Sequence, residues 1–345
     1  MQRLTLILSD LFLPEEAAAG AASMHAIEMP NLDWLLRFAE EPRRIDGWRP
    51  WLAAELGETV FARLPVALAC EMQFLNRGIG AGWLATPVHL EARLDHVRLV
   101  DRGVLRIAES QRADWCEEFA RAFGPQYSLH DIGERAFLLT GVSPAAAQST
   151  DPLRLLGSDI AAALPRGPEA AELRRLGAEI EMWLHQGTLN AARARKGEPS
   201  VSALWMWGGG LAPDDIRVGS IEESGDVLFL GGDPFLRALA ESFALMHERD
   251  ERLAPAPGSF TQISPGTEHA VVELTPMTGW SDETLQTIDA HWFAPVRAAL
   301  EQRALQVCDF VANDRWFRIA SPQPWKFWRS RVSWLERLGS QTRRT

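Results

Sequence analysis

One stretch, Glu169 to Gly210 (EAAELRRLGAEIEMWLHQGTLNAARARKGEPSVSALWMWGGG), constrains the fold more than any other. It reads as a long helix, a sharp stop, a buried strand and a three-glycine turn. Leu173, Leu176, Ile180, Trp183 and Leu184 recur at helical spacing and define one apolar face. Asn190 and Arg193, three residues apart, share a face one turn long. Gly197 suits a left-handed helix cap, and Pro199 prevents the helix resuming. Ala203 to Trp207 form a short apolar run that suits a strand buried on both faces. Gly208, Gly209 and Gly210 then permit a tight turn and the close approach of a ligand or another backbone.

The rest of the chain alternates strands and helices. Leu4 to Ser9, Val227 to Leu230, Ala270 to Leu274 and Leu305 to Val311 read as strands. Helices are predicted after Met29, after Pro234 and over Glu283 to Gln302, with Asp233 as an N-cap and Pro234 as a first helical residue. The stretch from Glu55 is helical through Leu75 and a loop after Arg77. The alternation predicts an α/β fold with a mostly parallel sheet flanked by helices. Such sheets bind ligands at the carboxyl ends of their strands. Asp10, Gly208 to Gly210, Gly231 to Asp233 and Asp314 each follow a strand, so they are expected to converge on one edge of a single sheet. Asp10 reads there either as a metal ligand or as a helix or turn cap.

The middle of the chain differs. HVRLV and VLRIA read as a hairpin about Asp101-Arg102-Gly103. Glu109 to Phe123 is an amphipathic helix ended by Gly124-Pro125, and RAFLLT (135–140) is a strand. This block predicts a small α+β unit inserted at 88–150 into a core made of 1–87 and 151–345.

Composition narrows the function classes. A net charge of -11 argues against broad nucleic-acid binding. Cys70, Cys116 and Cys308 lie far apart with no metal spacing, as in reduced cytosolic proteins. No signal-peptide core or apolar run of membrane-spanning length occurs, so the expected location is the cytoplasm. WKFWRSRVSWLERLGSQTRRT, from Trp325 to Thr345, reads either as a basic amphipathic element for a partner or as a docked helix with a frayed basic end.

Asn190, Arg193, Gly197, Pro199 and the run Leu204 to Gly210 resemble the N-x-x-R-x-x-x-G-x-P…L-W-x-W-G-x-G pattern of cofactor-independent phosphoglycerate-mutase-like proteins. Those belong to the alkaline phosphatase superfamily. Met29 to Leu36 is similar to the helix that opens many members, and the inserted block fits their architecture. Over its whole length the chain resembles the RpfE-type bacterial regulatory proteins. The resemblance implies an alkaline-phosphatase-like core, a Ser or Thr nucleophile, and Asp and His clusters holding two divalent ions. Asp10 matches the first ligand position. Where the family has an Asp-His pair, this chain has Asp314-Arg315; an arginine is permanently charged and cannot coordinate a metal. Asp289-Ala290-His291 is nearest to the Asp-x-x-x-His pair but has the wrong spacing, and no nucleophile loop stands between residues 55 and 85. Asp95-His96 reads as a solvated strand edge or as a ligand pair.

The expectation is a degenerate member of this class, regulatory or anion-binding, without two-metal catalysis and with no cofactor. Its ligand would meet Asp10, Asn190, Arg193, Gly208, Gly209, Gly210, Asp314 and Arg315, where arginine offers a fork for phosphate or carboxylate. The alternative is an active phosphomutase or phosphatase using Mn, Zn or Mg. A third reading is an interaction protein using its 14 tryptophans. Partners would be a small anionic ligand or a protein, with homo-oligomers left open and neither nucleic acid nor a membrane span expected.

Overall fold

The computed structural model describes residues 1–8, 11, 28–75, 80–142, 147–167, 170–213, 227–244, 258–276, 280–312, 314–320 and 333–339. The chain starts with β1 (Arg3–Leu8), α1 (Pro30–Phe38), β2 (Arg43–Arg44), α2 (Trp48–Glu55) and α3 (Val66–Leu75). It continues through β3 (Trp83–Ala92), β4 (Val97–Val104), α4 (Glu109–Phe123), β5 (Ser128–Asp131) and β6 (Phe137–Thr140). Then come α5 (Ala170–Gln186), α6 (Thr188–Arg195), β7 (Ala203–Trp207), β8 (Val227–Leu230) and α7 (Pro234–Ala244). The last elements are β9 (His269–Glu273), α8 (Asp282–Ile288), α9 (Ala294–Glu301), β10 (Val307–Ala312), β11 (Arg315–Ala320) and α10 (Trp334–Gly339), with a π-helical turn joining α8 to α9.

The fold is mixed α/β with two sheets. The first has the order β2-β11-β10-β1-β9-β8. Its pairs β10–β1, β1–β9 and β9–β8 are parallel, as the alternating pattern requires, while β11 and β2 run antiparallel at one margin. The expected mostly parallel sheet therefore holds for four strands. The second sheet is antiparallel throughout. In it β3, ten residues long, takes β7, β6 and β4 as partners.

Three apolar cores hold five layers together, the central one surrounding the middle layer of helices. Leu4, Leu6 and Leu8 pack with α1, α8, α9 and α10 on one face of the first sheet. Ile7, Phe229, Val271 and Val311 point the other way, onto α2, α3 and α7, and these helices also meet Leu84, Val88 and Leu138 of the second sheet. Trp83, Phe137 and Leu139 on that sheet's far face are covered by α4 and α5. The period-two alternation of each strand decides which core a side chain enters.

β7 is buried on both faces as expected, with Trp205 and Trp207 in the central core and Leu204 and Met206 in the outer one. It belongs to the second sheet, however, and not to the sheet of the other parallel strands. The single-sheet expectation fails here because β7 pairs antiparallel with β3, from Leu84↔Trp207 to Val88↔Ala203. The second sheet thus takes strands from 83 to 207, wider than the expected insertion.

Other local expectations shift for visible reasons. The long helix is two helices, broken at Gly187, whose backbone is extended (φ -77, ψ 151). Gly197 takes φ +71, the left-handed cap foreseen for it. The hairpin turn lies between β3 and β4 at 93–96, so Asp101-Arg102-Gly103 falls within β4. At the C-terminus, Trp334 and Leu338 are buried against α1, and the Trp334 amide donates to Asp33 (2.6 Å). Residues 334–339 are therefore docked; the rest of the basic segment is outside the described residues. None of the described tryptophans is fully exposed; Trp34, Trp51, Trp183 and Trp280 are half-buried, and Trp325 and Trp328 are outside the described residues.

Glu58 is 6% exposed, and its Oε1 has no hydrogen-bond partner. Burial raises its pKa above the ordinary carboxyl value. A raised folded-state pKa favours folding below the unfolded pKa and costs stability as pH rises through the folded value. Glu58→Gln is thus expected to raise the urea midpoint at pH 8, through a gain in unfolding free energy of at most about 1 kcal/mol after solvent screening. Equal midpoints are expected at pH 4; a variant less stable than wild type at pH 8 would show Glu58 to be paired in solution.

Candidate functional site

Several predicted site residues have structural duties. Asn190 Nδ2 donates to the carbonyls of Leu184 (2.9 Å) and Val201 (2.9 Å), and its Oδ1 accepts the Val201 amide (2.8 Å). It sews α5 to the segment entering β7. Arg193 Nε donates to Pro199 O (2.8 Å) and its Nη1 pairs with Glu198 (3.1 Å), with the side chain 5% exposed. Both residues stand at the start of β7, whereas Gly208 to Gly210 follow its end, roughly 17 Å away for five residues of strand. The expected meeting of Asn190 and Arg193 with the glycines is therefore corrected.

The glycines themselves pack tightly. A Cβ at Gly209 would stand 2.4 Å from the Trp83 ring, and Gly208 O accepts the Ala67 amide (2.8 Å). Asp314 is exposed in the turn between β10 and β11. Arg315 opens β11 and donates through Nη1 to Arg337 O (2.7 Å), fastening α10. Asp10, two residues beyond β1, is outside the described residues.

The parallel strands do bring β1, β8, β9 and β10 to one carboxyl edge, as expected for Asp314 and Gly231 to Asp233. Three strand spacings still hold β10 about 14 Å from β8. At the β8–β9 corner a separate constellation forms. Asp233 caps α7 as foreseen, its Oδ1 accepting the amides of Phe235 (2.9 Å) and Leu236 (3.2 Å). Arg49 of α2 reaches both Asp233 (2.7 Å) and Asp151 (2.6 Å) through Nη2. Its guanidinium lies over the rings of Trp48 (4.8 Å) and Trp207 (4.9 Å). Glu273 at the end of β9 accepts Arg135 Nη1 on both oxygens (3.1 and 3.0 Å) and the Gly232 amide (3.1 Å).

A cleft of about 300 Å³ opens at this corner. One wall is the turn between β5 and β6, from Ile132 to Ala136, and the other is Phe229, Gly231, Gly232 and the first turns of α7. Arg237 lines it, donates to Ile132 O (2.9 Å), rests on the Phe74 ring, and has no carboxylate partner among the described residues. The sequence flagged Gly231 to Asp233, but Arg49, Arg135 and Asp151 carried no signal. Arg135 and Glu273 are 138 residues apart, and no local pattern announces such a pairing.

Electrostatics ties these groups together. Burial raises the Glu273 pKa, against the pull of Arg135, and Asp233 adds to the rise. Burial opposes the charge on Arg49, but Asp233 and Asp151 outweigh it and hold its pKa above the ordinary value.

The described residues do not fit a two-metal centre. Among them no group of three or more His, Cys, Asp or Glu could hold a metal ion. Asp289 caps α1, accepting from Asn31 Nδ2 (2.8 Å) and the Leu32 amide (3.0 Å). Asp95 and His96 bond each other (2.7 Å) in the exposed turn after β3. Asp233 and Glu273 each already carry a guanidinium, a fixed cation that repels a divalent ion.

No family model matches the chain, and no curated protein matches it. Among solved structures it is similar to a cofactor-independent phosphoglycerate mutase from Thermoplasma acidophilum DSM 1728, at 15% identity and a TM-score of 0.40, over 92% of this chain and 89% of that one. It is also similar to the PH0037 protein from Pyrococcus horikoshii, at 11% identity and a TM-score of 0.45, over 93% of this chain and 87% of that one.

Proposed function

We propose that the chain is a degenerate phosphoglycerate-mutase-like protein, with an alkaline-phosphatase-like core, that binds a small anionic ligand and serves a regulatory role of the RpfE type. The ligand sits in the cleft beside Gly231 and Gly232. The observation that carries this reading is the pairing of both carboxylates at the β8–β9 corner with arginines, next to Arg237, which has no such partner. A metal-dependent phosphotransferase needs carboxylates free to hold its ions. Here the positive charge comes from guanidinium groups, which bind anions and do not activate water. The motif from Asn190 to Gly210 supports the family assignment, with its side chains serving the fold.

Two measurements test it on the full chain. Calorimetric titration with inorganic phosphate and with 3-phosphoglycerate is expected to show binding, and Arg237→Ala should weaken it about tenfold, the worth of one charge-assisted hydrogen bond. Phosphoglycerate interconversion and aryl-phosphate hydrolysis with added Mn²⁺, Zn²⁺ or Mg²⁺ should stay at background. Turnover on the order of 1 s⁻¹ or more, abolished by Asp10→Ala, would replace this reading with the catalytic one.

A further inference from the structure

We infer that Arg44 and Arg315 form a second anion site, a clamp that takes the phosphoryl group of a small ligand at the margin of the first sheet. It does not depend on the cleft: four strand spacings, about 19 Å, lie between β11 and β8. The register of β2 on β11 sets Arg44 directly across from Arg315. The Ile45 amide donates to Asp314 O (3.0 Å), so Ile45 and Asp314 form a hydrogen-bonded pair of the ladder. Arg44 and Arg315 are then the non-hydrogen-bonded pair beside it, whose Cβ atoms come within about 4.5–5.5 Å on one face of the sheet. Like charges at such positions destabilise a sheet. Burial opposes the Arg315 charge, and Arg44 adds to that against the pull of Asp314, so the Arg315 pKa lies below its ordinary value.

Among the described residues neither guanidinium has a carboxylate at ion-pair distance. Arg44 is exposed, and Arg315 donates from Nη1 to Arg337 O (2.7 Å). That bond holds Arg315 in place and leaves its Nε and Nη2 groups without a partner among the described residues. Arg43, on the other face and over the Trp316 ring (5.2 Å), already gives this edge a charge that discourages pairing with another chain. Two facing forks with free donors suit an anion held between them. A carboxylate carries one charge and fills one fork. A phosphoryl dianion offers several acceptor oxygens and offsets both cations.

Calorimetry and thermal unfolding of the full chain at pH 8, in phosphate, acetate or chloride at equal ionic strength, test the clamp. The Arg237→Ala background silences the cleft. Inorganic phosphate is expected to bind that variant at least tenfold more tightly than acetate, and to raise its Tm above the value in chloride. Adding Arg44→Gln should weaken this binding at least tenfold. Arg44→Glu should abolish it and raise Tm in chloride, because an ion pair with Arg315 replaces the clash. In the wild type, Arg44→Gln should take phosphate binding from two sites to one. Glycerol 2-phosphate separates the sources of the group: tighter binding than phosphate assigns an ester, weaker binding the free ion. Phosphate binding lost completely with Arg237→Ala alone would overturn the clamp and leave the cleft standing. Binding untouched by Arg237→Ala but removed by Arg44→Gln would keep the clamp and overturn the cleft. Acetate binding as tight as phosphate would overturn the ligand class. An Arg44→Glu variant less stable in chloride than its parent would overturn the opposed-charge pair.

Discussion

Asp309→Ala is expected to cost about 3 kcal/mol of folding stability, the lower end for breaking a buried ion pair. Asp309 is fully buried in the middle of β10. Its Oδ2 accepts Arg3 Nε (2.6 Å), and its Oδ1 accepts Trp316 Nε1 (2.8 Å) and Arg318 Nε (2.9 Å). Truncation takes the acceptor away from four N–H donors on Arg3, Trp316 and Arg318 of β1 and β11. Arg3 and Arg318 keep partial access to water and to Glu55 (2.7 and 3.6 Å), which limits the loss. Asp309→Asn keeps one oxygen acceptor and should lose less. Urea unfolding decides it: a loss under about 1 kcal/mol for the alanine variant would show that the arginines re-solvate freely.

Arg49→Met is expected to cost about 3–5 kcal/mol at neutral pH, because it leaves two carboxylates facing each other out of water. Asp151 and Asp233 have side chains 9% and 3% exposed. Methionine preserves the packing against Trp48 and Trp207, so the loss is chiefly electrostatic. Asp233→Asn, which retains the α7 cap, should recover part of the loss in the Arg49→Met background. No recovery in the double variant would place the effect in packing alone.

Much of the fold was legible because it depends on local pattern. The strands β1, β8, β9 and β10, the cap at Asp233, the stop at Gly197 and the helix from 282 to 301 follow from periodicity, capping chemistry and glycine. What failed depends on partners distant in sequence. Nothing local tells β7 to join β3 in place of the parallel sheet. β2, with two residues, and β11 gave no signal of their own; each is defined by its neighbour. The candidate site divides the same way. Asn190 and Arg193 were read as ligand contacts because amide and guanidinium groups bind anions, yet the same donors satisfy backbone carbonyls at the entry to β7. Gly231 and Gly232 were visible, but their arginine comes from the turn before β6.

The central position of β1 sets a schedule for synthesis. β1 pairs with β10 in the register Arg3↔Val307 and with β9 as Arg3↔His269. On a ribosome adding about 5–20 residues per second, β1 emerges ahead of both partners and waits on the order of 15 to 60 seconds for the second of them. During that interval an apolar strand, LTLIL, has both backbone edges unpaired. The second sheet, whose strands are all made by residue 207, can close while the first is still open. Until β9 and β10 are made, those edges stay open to any passing strand, a hazard that this sheet order builds into synthesis.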